Sequence, residues 1–570
     1  MHRKAILIIC SLVFLTYFNT LFNKFVGDDH LLLVRNSFYK SWSNFPRLFQ
    51  EGYNFEWTRD MFSDNRDLGA GSVSYRPVAN ASYFLGFWMW GLNPFGFHLI
   101  NVLIHMANVV LVYFLFLTVG FLSPAALFAA LLFGLHPVQA EVVCNIGYRA
   151  DMLACFFVLG AALFWLLFRR ETRKVFYWLS LVSYFFAVFS KESAVVFPLA
   201  LWVYEQFFGT DRGRRRLVFD LYQAGFWLVT AFYLYVYCFV FTNSALPHNQ
   251  MLDSSWQGHV AIMGQIWVEY IRAMLLPWTA YLLPALYAPS PVLGWNILIP
   301  FAVLAGILAT AFIYGRRSRV YIFLLAWFFI FYIPVCNIIP LANPMAFRFL
   351  YLPSIGFLGA MALLLKAFLS LDALKKISAR LKAMLKAFII VLCMSLTFVL
   401  NSLWNNDYLI ASTWVRYYPD SWKAYDILGL LYFQKGDYDK AEGYFLKSIQ
   451  YGGRDADIRI DYYLGMCYLA KGQLDRAQRH FQFALAAFPD FPYACYGMAR
   501  LLNEKGDYEQ ALVYYRKAID SFPSATFYYI EPLELYLKLG RKAEAKELLE
   551  LARKHVRKER MEQLDKYFSP

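Results

Sequence analysis

Charge is what this chain has least of. Only 16% of its 570 residues are Asp, Glu, Lys or Arg, against roughly 25% in a soluble domain. That deficit excludes an ordinary water-soluble protein for most of its length. Hydrophobic residues make up 59% and aromatics 20%, and mean hydropathy is +0.41, so an integral membrane protein is expected. Acidic residues are scarcer than basic ones, 40 against 54, which leaves a formal net charge of +14. Nucleic acid is not the expected partner, because the Lys and Arg form short runs between apolar segments, the placement that sets membrane topology. The eight cysteines show no metal-type spacing. Cys10, Cys144, Cys155 and Cys393 sit in apolar segments and read as small core residues. Cys467 and Cys495 lie in the polar C-terminal part and pair only if the fold brings them together. A cleavage site is missing too: "FNKFVGDDH" after the first apolar run has no small-residue pattern. An uncleaved first helix with a cytoplasmic N-terminus follows.

What is present is a series of apolar runs. Spans are expected at 5–22, 97–118, 124–140, 151–168, 175–190, 193–209, 217–241, 294–314, 319–337, 350–368 and 385–404, each needing about 20 residues. Basic runs fall at 2–4, 169–174, 212–216, 315–319 and 375–386. With eleven spans and the N-terminus inside, all five face the cytoplasm, as the positive-inside rule requires. Residues 23–96, 242–293 and everything after 404 then face outward. Apolar pieces at 77–91 and 256–285 read as interfacial or spanning, and parity holds only if both do the same.

After residue 404 the character changes. Gly436, Gly472, Gly506 and Gly540 recur at spacings of 36, 34 and 34. Ala441, Phe445, Ala477, Phe481, Ala511 and Tyr515 keep the same phase. A period near 34, with Gly between two helices and Ala on the second, is the tetratricopeptide signature. About four repeats are expected over 405–570, with a groove suited to an extended peptide; a purely architectural role is the other reading.

The residues that bear chemistry cluster on the expected outward side. Ionisable groups near a bilayer are costly and usually have partners or tasks. Asp28 and Asp29 follow the first span directly; like charges this close resist joint ionisation, and one carboxylate there can act as a general base on an acceptor hydroxyl. Plain turn chemistry explains "GDD" equally well. Arg76 lies in the first outward stretch. His136, Glu141, Arg149 and Asp151 flank the outward ends of two spans, Lys191 and Glu192 lie between two more, and Arg348 and Tyr351 open another. Singly they read as anchors or ion pairs. Together they describe an outward cavity whose cations suit a phosphate.

The strings "YRPV", "LNPFGFHLINVLIH", "LFGLHPVQAEVV", "YRADMLACFF", "SKES" and "RFLYLPSIGF", in this order and followed by such repeats, resemble the transmembrane and tetratricopeptide-repeat O-mannosyltransferases, membrane glycosyltransferases of the GT-C class. The resemblance covers about 15–370 and 420–555. It implies an all-α fold: a polytopic GT-C-type helix bundle over 1–404 and a tetratricopeptide solenoid over 405–570. It implies a polyprenyl-phosphate-linked sugar donor, a mannose or other hexose transferred to Ser or Thr hydroxyls of exported proteins, and inversion at the sugar carbon. It puts Asp28 and Asp29 at the catalytic acidic pair and Arg348 at the donor phosphate, with Lys191 and Arg149 as further phosphate candidates. Arg76, His136, Glu141, Asp151, Glu192 and Tyr351 fall around the cavity and acceptor. There are departures: Phe347 stands where a Glu commonly precedes the arginine, and Ser190 opens the "CKE"-like motif.

A single-phosphate donor needs less metal help than a diphosphate, so no obligatory cofactor is expected; a divalent ion at Asp28 and Asp29 stays open. Membrane lipids are the other expected partners. A lipid or glycan acceptor, or a non-catalytic membrane scaffold, are the competing functions. The short repeat array and the cysteine usage point to a bacterial inner membrane with a periplasmic active site, the endoplasmic reticulum lumen being the alternative compartment.

Overall fold

The computed structural model of the chain describes residues 2–34, 36, 38–49, 75–208, 221–241, 256–278, 295–339, 341, 343–374, 377–454, 457–556, 561 and 564–566. Among them every regular element is helical. Chain contacts separate two units, one ending at Asn406 and one running from Asp407 to the C-terminus.

The first unit holds α1 (His2–Tyr17), α2 (Pro77–Trp90), α3 (Pro94–Thr118), α4 (Ser123–Leu135), α5 (Ala140–Cys144), α6 (Arg149–Glu171), α7 (Lys174–Val188), α8 (Phe197–Phe208) and α9 (Leu221–Tyr235). It continues with α10 (Trp256–Leu275), α11 (Trp295–Gly315), α12 (Arg319–Tyr332), α13 (Pro353–Phe368) and α14 (Ala379–Leu403). Prolines open several of these helices. Pro77, Pro94 and Pro353 stand in the first turn, where the missing N–H costs nothing and φ is already helical. Asn93 caps α3 by accepting the Phe95 N–H at 3.1 Å.

Each of the eleven expected spans coincides with a helix, but the count that length supports is smaller. Among the described residues five helices are long and apolar enough to cross a bilayer: His2–Phe22, Pro94–Thr118, Ile146–Glu171, Leu298–Gly315 and Ala379–Leu403. A sixth arises if Ser123–Leu135 and Pro137–Cys144, bent by 48°, are one broken span. Lys174–Val188, Arg319–Val335 and Pro353–Phe368 are apolar but shorter. At 1.5 Å rise per residue, 15 residues reach about 22 Å of a core about 30 Å thick. The apolar run at 124–140 is unbroken in sequence, yet its helix ends at Leu135 and the chain turns at Pro137. The basic run at 212–216, Lys375 and Lys376, and residues 50–74 and 279–285 of the outward stretches lie outside the described residues.

Breaks in the helices position the polar residues. Pro137 ends α4, and His136 caps the following turn by accepting the Val138 N–H at 3.3 Å. The chain then turns again over Ile146–Tyr148 before α6. Asn101 of α3 holds this double break in place, donating to the Val143 and Asn145 carbonyls at 3.2 and 3.3 Å. Asn401 of α14 donates to the Thr16 carbonyl at 2.9 Å, tying the last helix of the unit to the first.

The second unit opens with α15 (Asp407–Tyr417). Four helix pairs follow: α16 (Trp422–Gln434) with α17 (Tyr438–Gly452), α18 (Arg459–Ala470) with α19 (Leu474–Ala487), α20 (Pro492–Glu504) with α21 (Tyr508–Ser521), and α22 (Phe527–Lys538) with α23 (Lys542–His555). The four periodic glycines have φ of +77°, +70°, +81° and +73°, the left-handed region that Gly enters without a Cβ clash. That explains their recurrence at the end of each first helix. Cys467 and Cys495 are buried free thiols; the other six cysteines are also free, with Cys144, Cys155, Cys336 and Cys393 buried, Cys10 half-buried and Cys238 exposed.

Candidate active site

The "VGDD" turn separates its two carboxylates. Gly27 sits at φ +51°, and the chain reverses there so that Asp28 points to solvent while Asp29 is 0% exposed. Both oxygens of Asp29 are engaged. Oδ1 accepts the Gly147 N–H at 2.8 Å and Oδ2 the Val26 N–H at 3.2 Å. Burial pushes its pKa up to about 7, against the pull of those backbone donors and with a smaller push from Asp28. Asp29 thus pins the first outward turn to the Ile146–Tyr148 turn. Asp28 stays accessible.

Three ion pairs surround this anchor. Arg348 Nη1 donates to Glu141 Oε1 at 2.7 Å, and Glu141 Oε2 accepts the Phe347 N–H at 2.8 Å. One carboxylate therefore fixes both the side chain and the backbone of the Phe347–Leu350 turn. Arg76 grips Glu192 with two bonds, Nε to Oε2 at 3.0 Å and Nη2 to Oε1 at 2.6 Å. Lys191 bonds Asp151, with side chains only 5% and 9% exposed. Burial pushes the Lys191 ammonium down against the opposing pull of Asp151. For Glu192 burial works upward, but the Arg76 pair wins and holds its carboxyl down to about 2.

The cations differ in what they have left to offer. Arg149 is fully buried and spent: Nε donates to Asn101 Oδ1 at 2.7 Å, Nη1 to the Ser82 carbonyl at 3.2 Å, and Nη2 to the Phe97 carbonyl at 3.0 Å. Its guanidinium lies 5.0 Å from the Tyr83 ring centre. These bonds join α2, α3 and α6 and engage Arg149 within the protein, where the sequence makes it a further candidate for the donor phosphate. Lys191 is locked in its buried pair. Arg348 bonds through Nη1 alone among the described residues. Burial opposes its charge, but Tyr148, Glu141, Asp151 and Asp28 together hold its pKa above the ordinary range. A small cavity beside it is lined by Asp151, Ser193, Arg348, Phe349 and Tyr351.

His136 and Tyr351 turn out to be scaffold. His136 is the turn cap described above. Tyr351 is 1% exposed; its hydroxyl meets His105 Nδ1 at 2.6 Å and accepts from Asn108 Nδ2 at 3.1 Å. Among the described residues no three His, Cys, Asp or Glu side chains gather as a metal site.

Models of the tetratricopeptide repeat match residues 423–451 and 468–531. Along the whole chain the human protein O-mannosyl-transferase TMTC3 is 24% identical, covering 96% of this chain and 63% of its own length. The mouse TMTC3 protein is also 24% identical, covering 95% and 63%. The human protein O-mannosyl-transferase TMTC1 reaches 33% identity, over 26% of this chain and 16% of its own. The chain is similar to these O-mannosyl-transferases along almost its whole length. It spans a little under two thirds of the length of the TMTC3 relatives. Among solved structures, the apo oligosaccharyltransferase of Archaeoglobus fulgidus covers 73% of this chain and 58% of its own at TM-score 0.37 and 13% identity, a likeness too low to carry weight.

One residue of the cluster escapes a reading by charge. The Tyr148 ring lies 4.1 Å from the Arg348 guanidinium. Its signal in the sequence is position alone: it directly precedes Arg149 in the "YRAD" string. A neutral aromatic in a chain that is 20% aromatic does not announce itself.

Proposed function

We propose that this protein is a membrane glycosyltransferase that moves a hexose, mannose by its homologues' names, from a polyprenyl-phosphate donor to Ser or Thr hydroxyls of exported proteins. The observation that carries the reading is an exposed carboxylate, Asp28, in one cluster with Arg348, a cation that bonds through Nη1 alone among the described residues. Asp29 next to it bonds the Gly147 N–H, and the adjoining Tyr148 ring lies 4.1 Å from the Arg348 guanidinium.

Geometry chooses between the two aspartates. A base must reach the proton it takes. Asp29 has a pKa suited to a base, but its oxygens are buried and already accept backbone N–H groups. Asp28 removes the acceptor proton as the acceptor oxygen bonds to C1 of the sugar. The C1–O bond to phosphate breaks on the opposite face, in one inverting displacement. The phosphate leaves with the lipid, taking the bonding electrons, and Arg348 stabilises the charge that builds there. Asp29, Glu141 and Arg149 hold the turns that carry these groups. Asp151, the partner of Lys191, lines the cavity. The reaction so written needs no metal ion, and chelation with EDTA is expected to leave turnover unchanged. The active site faces away from the cytoplasm in this reading, and the repeats present the polypeptide acceptor.

Glycopeptide mass spectrometry of exported proteins tests it, in cells carrying the wild-type chain, a deletion, or Asp28→Asn. Hexose on Ser or Thr should vanish in the deletion and in Asp28→Asn. Unchanged protein glycans throughout would remove the protein acceptor from the proposal.

A further inference from the structure

Arg348 is fixed on two sides. Glu141 holds Nη1, and the guanidinium carbon lies over the Tyr148 ring, 4.1 Å from its centre. Phe349 lies on the guanidinium as well, at 5.1 Å. A face-on ring stabilises a cation and fixes its plane. Tyr148 itself stands on the turn that Asp29 pins, since Gly147 supplies the N–H that Asp29 accepts. The charged groups that act on its hydroxyl are Arg348, Asp28, Glu141 and Asp29. It therefore lies between the acidic pair and the cation.

The hydroxyl has no hydrogen-bond partner among the described residues, and it is not sealed away from solvent. Elsewhere in the unit the buried tyrosines of the core are mostly paired: Tyr83 donates to the Ile146 carbonyl at 3.0 Å, Tyr270 to the Ala346 carbonyl at 3.1 Å, and Tyr351 joins His105. A half-buried phenol with an unused donor, set among charges, is placed for a ligand.

We propose that Tyr148 is a donor-binding residue: its ring orients Arg348, and its hydroxyl donates a hydrogen bond to the phosphate of the lipid-linked donor. The proposal rests on the donor-phosphate reading of this cluster and names a contact beyond it. No proton is transferred; the phenol keeps its hydrogen while the phosphate gains charge as the C1–O bond breaks. A phenol suits this place because it adds a donor without adding a charge, and the cations nearby are already matched by Glu141, Asp151 and Glu192.

The test uses the full chain in nanodiscs with two probes, undecaprenyl phosphate and undecaprenol, which differ only in the phosphate. Tyr148→Phe keeps the ring and removes the donor. It should weaken undecaprenyl phosphate by about 10-fold, the worth of one hydrogen bond to a charged group, while undecaprenol binding and the thermal midpoint stay at wild-type values. Tyr148→Leu also unstacks Arg348 and should weaken the phosphate probe further. If Tyr148→Phe binds undecaprenyl phosphate like wild type, the hydroxyl contact is refuted and the donor reading stands. A lowered midpoint together with weaker binding of both probes would assign Tyr148 to the scaffold and overturn the proposal. If the wild-type chain itself does not prefer undecaprenyl phosphate over undecaprenol, the donor-phosphate reading fails, and this inference with it.

Discussion

The two units of the chain spend their charges differently. In the first, Lys191 and Asp151 pair at 5% and 9% exposure, and Arg348 and Glu141 at 12% and 7%. In the repeats, Lys440 pairs with Asp437 at 61% and 36%, and Arg516 with Asp520 at 54% and 59%. Exposed pairs of the second kind contribute about 0–1 kcal/mol. Buried pairs return little net stability for their desolvation, so a chain with only 16% charged residues that buries several of them in one cluster does so for a task. The repeat unit carries its information in shape instead: small residues where helices touch, and glycines where they turn.

The sharpest way to break this contrast is to neutralise Asp28. Asp28→Asn should lower sugar transfer by about 10²–10⁴-fold, the usual contribution of a general base. The residue is exposed, so the thermal midpoint should not move. Asp29→Asn is the partner experiment. An amide supplies one acceptor where the carboxylate supplies two, so either the Gly147 or the Val26 N–H loses its bond. That variant should lose activity and stability together, measured as transfer rate and thermal midpoint on the same preparation. Equal loss of activity without loss of stability in Asp29→Asn would reassign the base.

The next effect is on the fold of the first unit. Lys191→Ala leaves Asp151 as a buried carboxylate with its cation removed, at a cost of about 3–5 kcal/mol. Lys191→Met with Asp151→Leu removes both charges and should recover most of that stability while activity stays low. Recovery of activity in the double variant would show that the pair is scaffold alone.

How far the sequence led depends on what kind of signal a residue leaves. The repeats were legible because Gly436, Gly472, Gly506 and Gly540 must each enter a left-handed turn, which marks the chain at a fixed period. The acidic pair and the motif cations stood out as charges against an apolar background. Which cation has a free donor did not, because Arg149 and Arg348 look alike until Asn101, Ser82 and Phe97 are brought around one of them by α2 and α3. His136 and Tyr351 look functional as polar residues at span ends, yet each satisfies a neighbouring group created by the break at Pro137 or by His105 and Asn108. Helix length was the least legible feature. Hydropathy shows where the chain is apolar, and turns inside those runs decide how much of it is one helix.

In the repeats the largest expected effect is one of shape. A Cβ on Gly465 would lie 2.4 Å from the Phe481 ring, a distance that forces α18 and α19 apart. Gly465→Ala should destabilise this pair by about 1–3 kcal/mol, read as faster hydrogen exchange across both helices in the full chain. Unchanged exchange would mean that Phe481 can swing aside.

The repeat unit buries carboxylates too: Asp426, Asp457 and Asp461 are 8%, 4% and 2% exposed. Asp426 on α16 is buried, and its carboxyl is pushed up to about 7, first by burial and then by Asp457, with Arg459 opposing. Arg459 is held by Asp457, with Nε to Oδ1 at 3.0 Å. A carboxyl whose folded pKa lies above its unfolded value of about 4 favours the folded state when protonated. That contribution is full below about pH 4 and fades as pH rises through 7. Asp426→Asn keeps the neutral form at every pH. The variant should therefore match the wild type near pH 4 and exceed it at pH 8, followed by hydrogen exchange of α16 across that range. A variant less stable than wild type at pH 8 would mean that the Asp426 carboxylate is ionised and engaged there, and the repeat unit would then hold a buried charge with a task of its own.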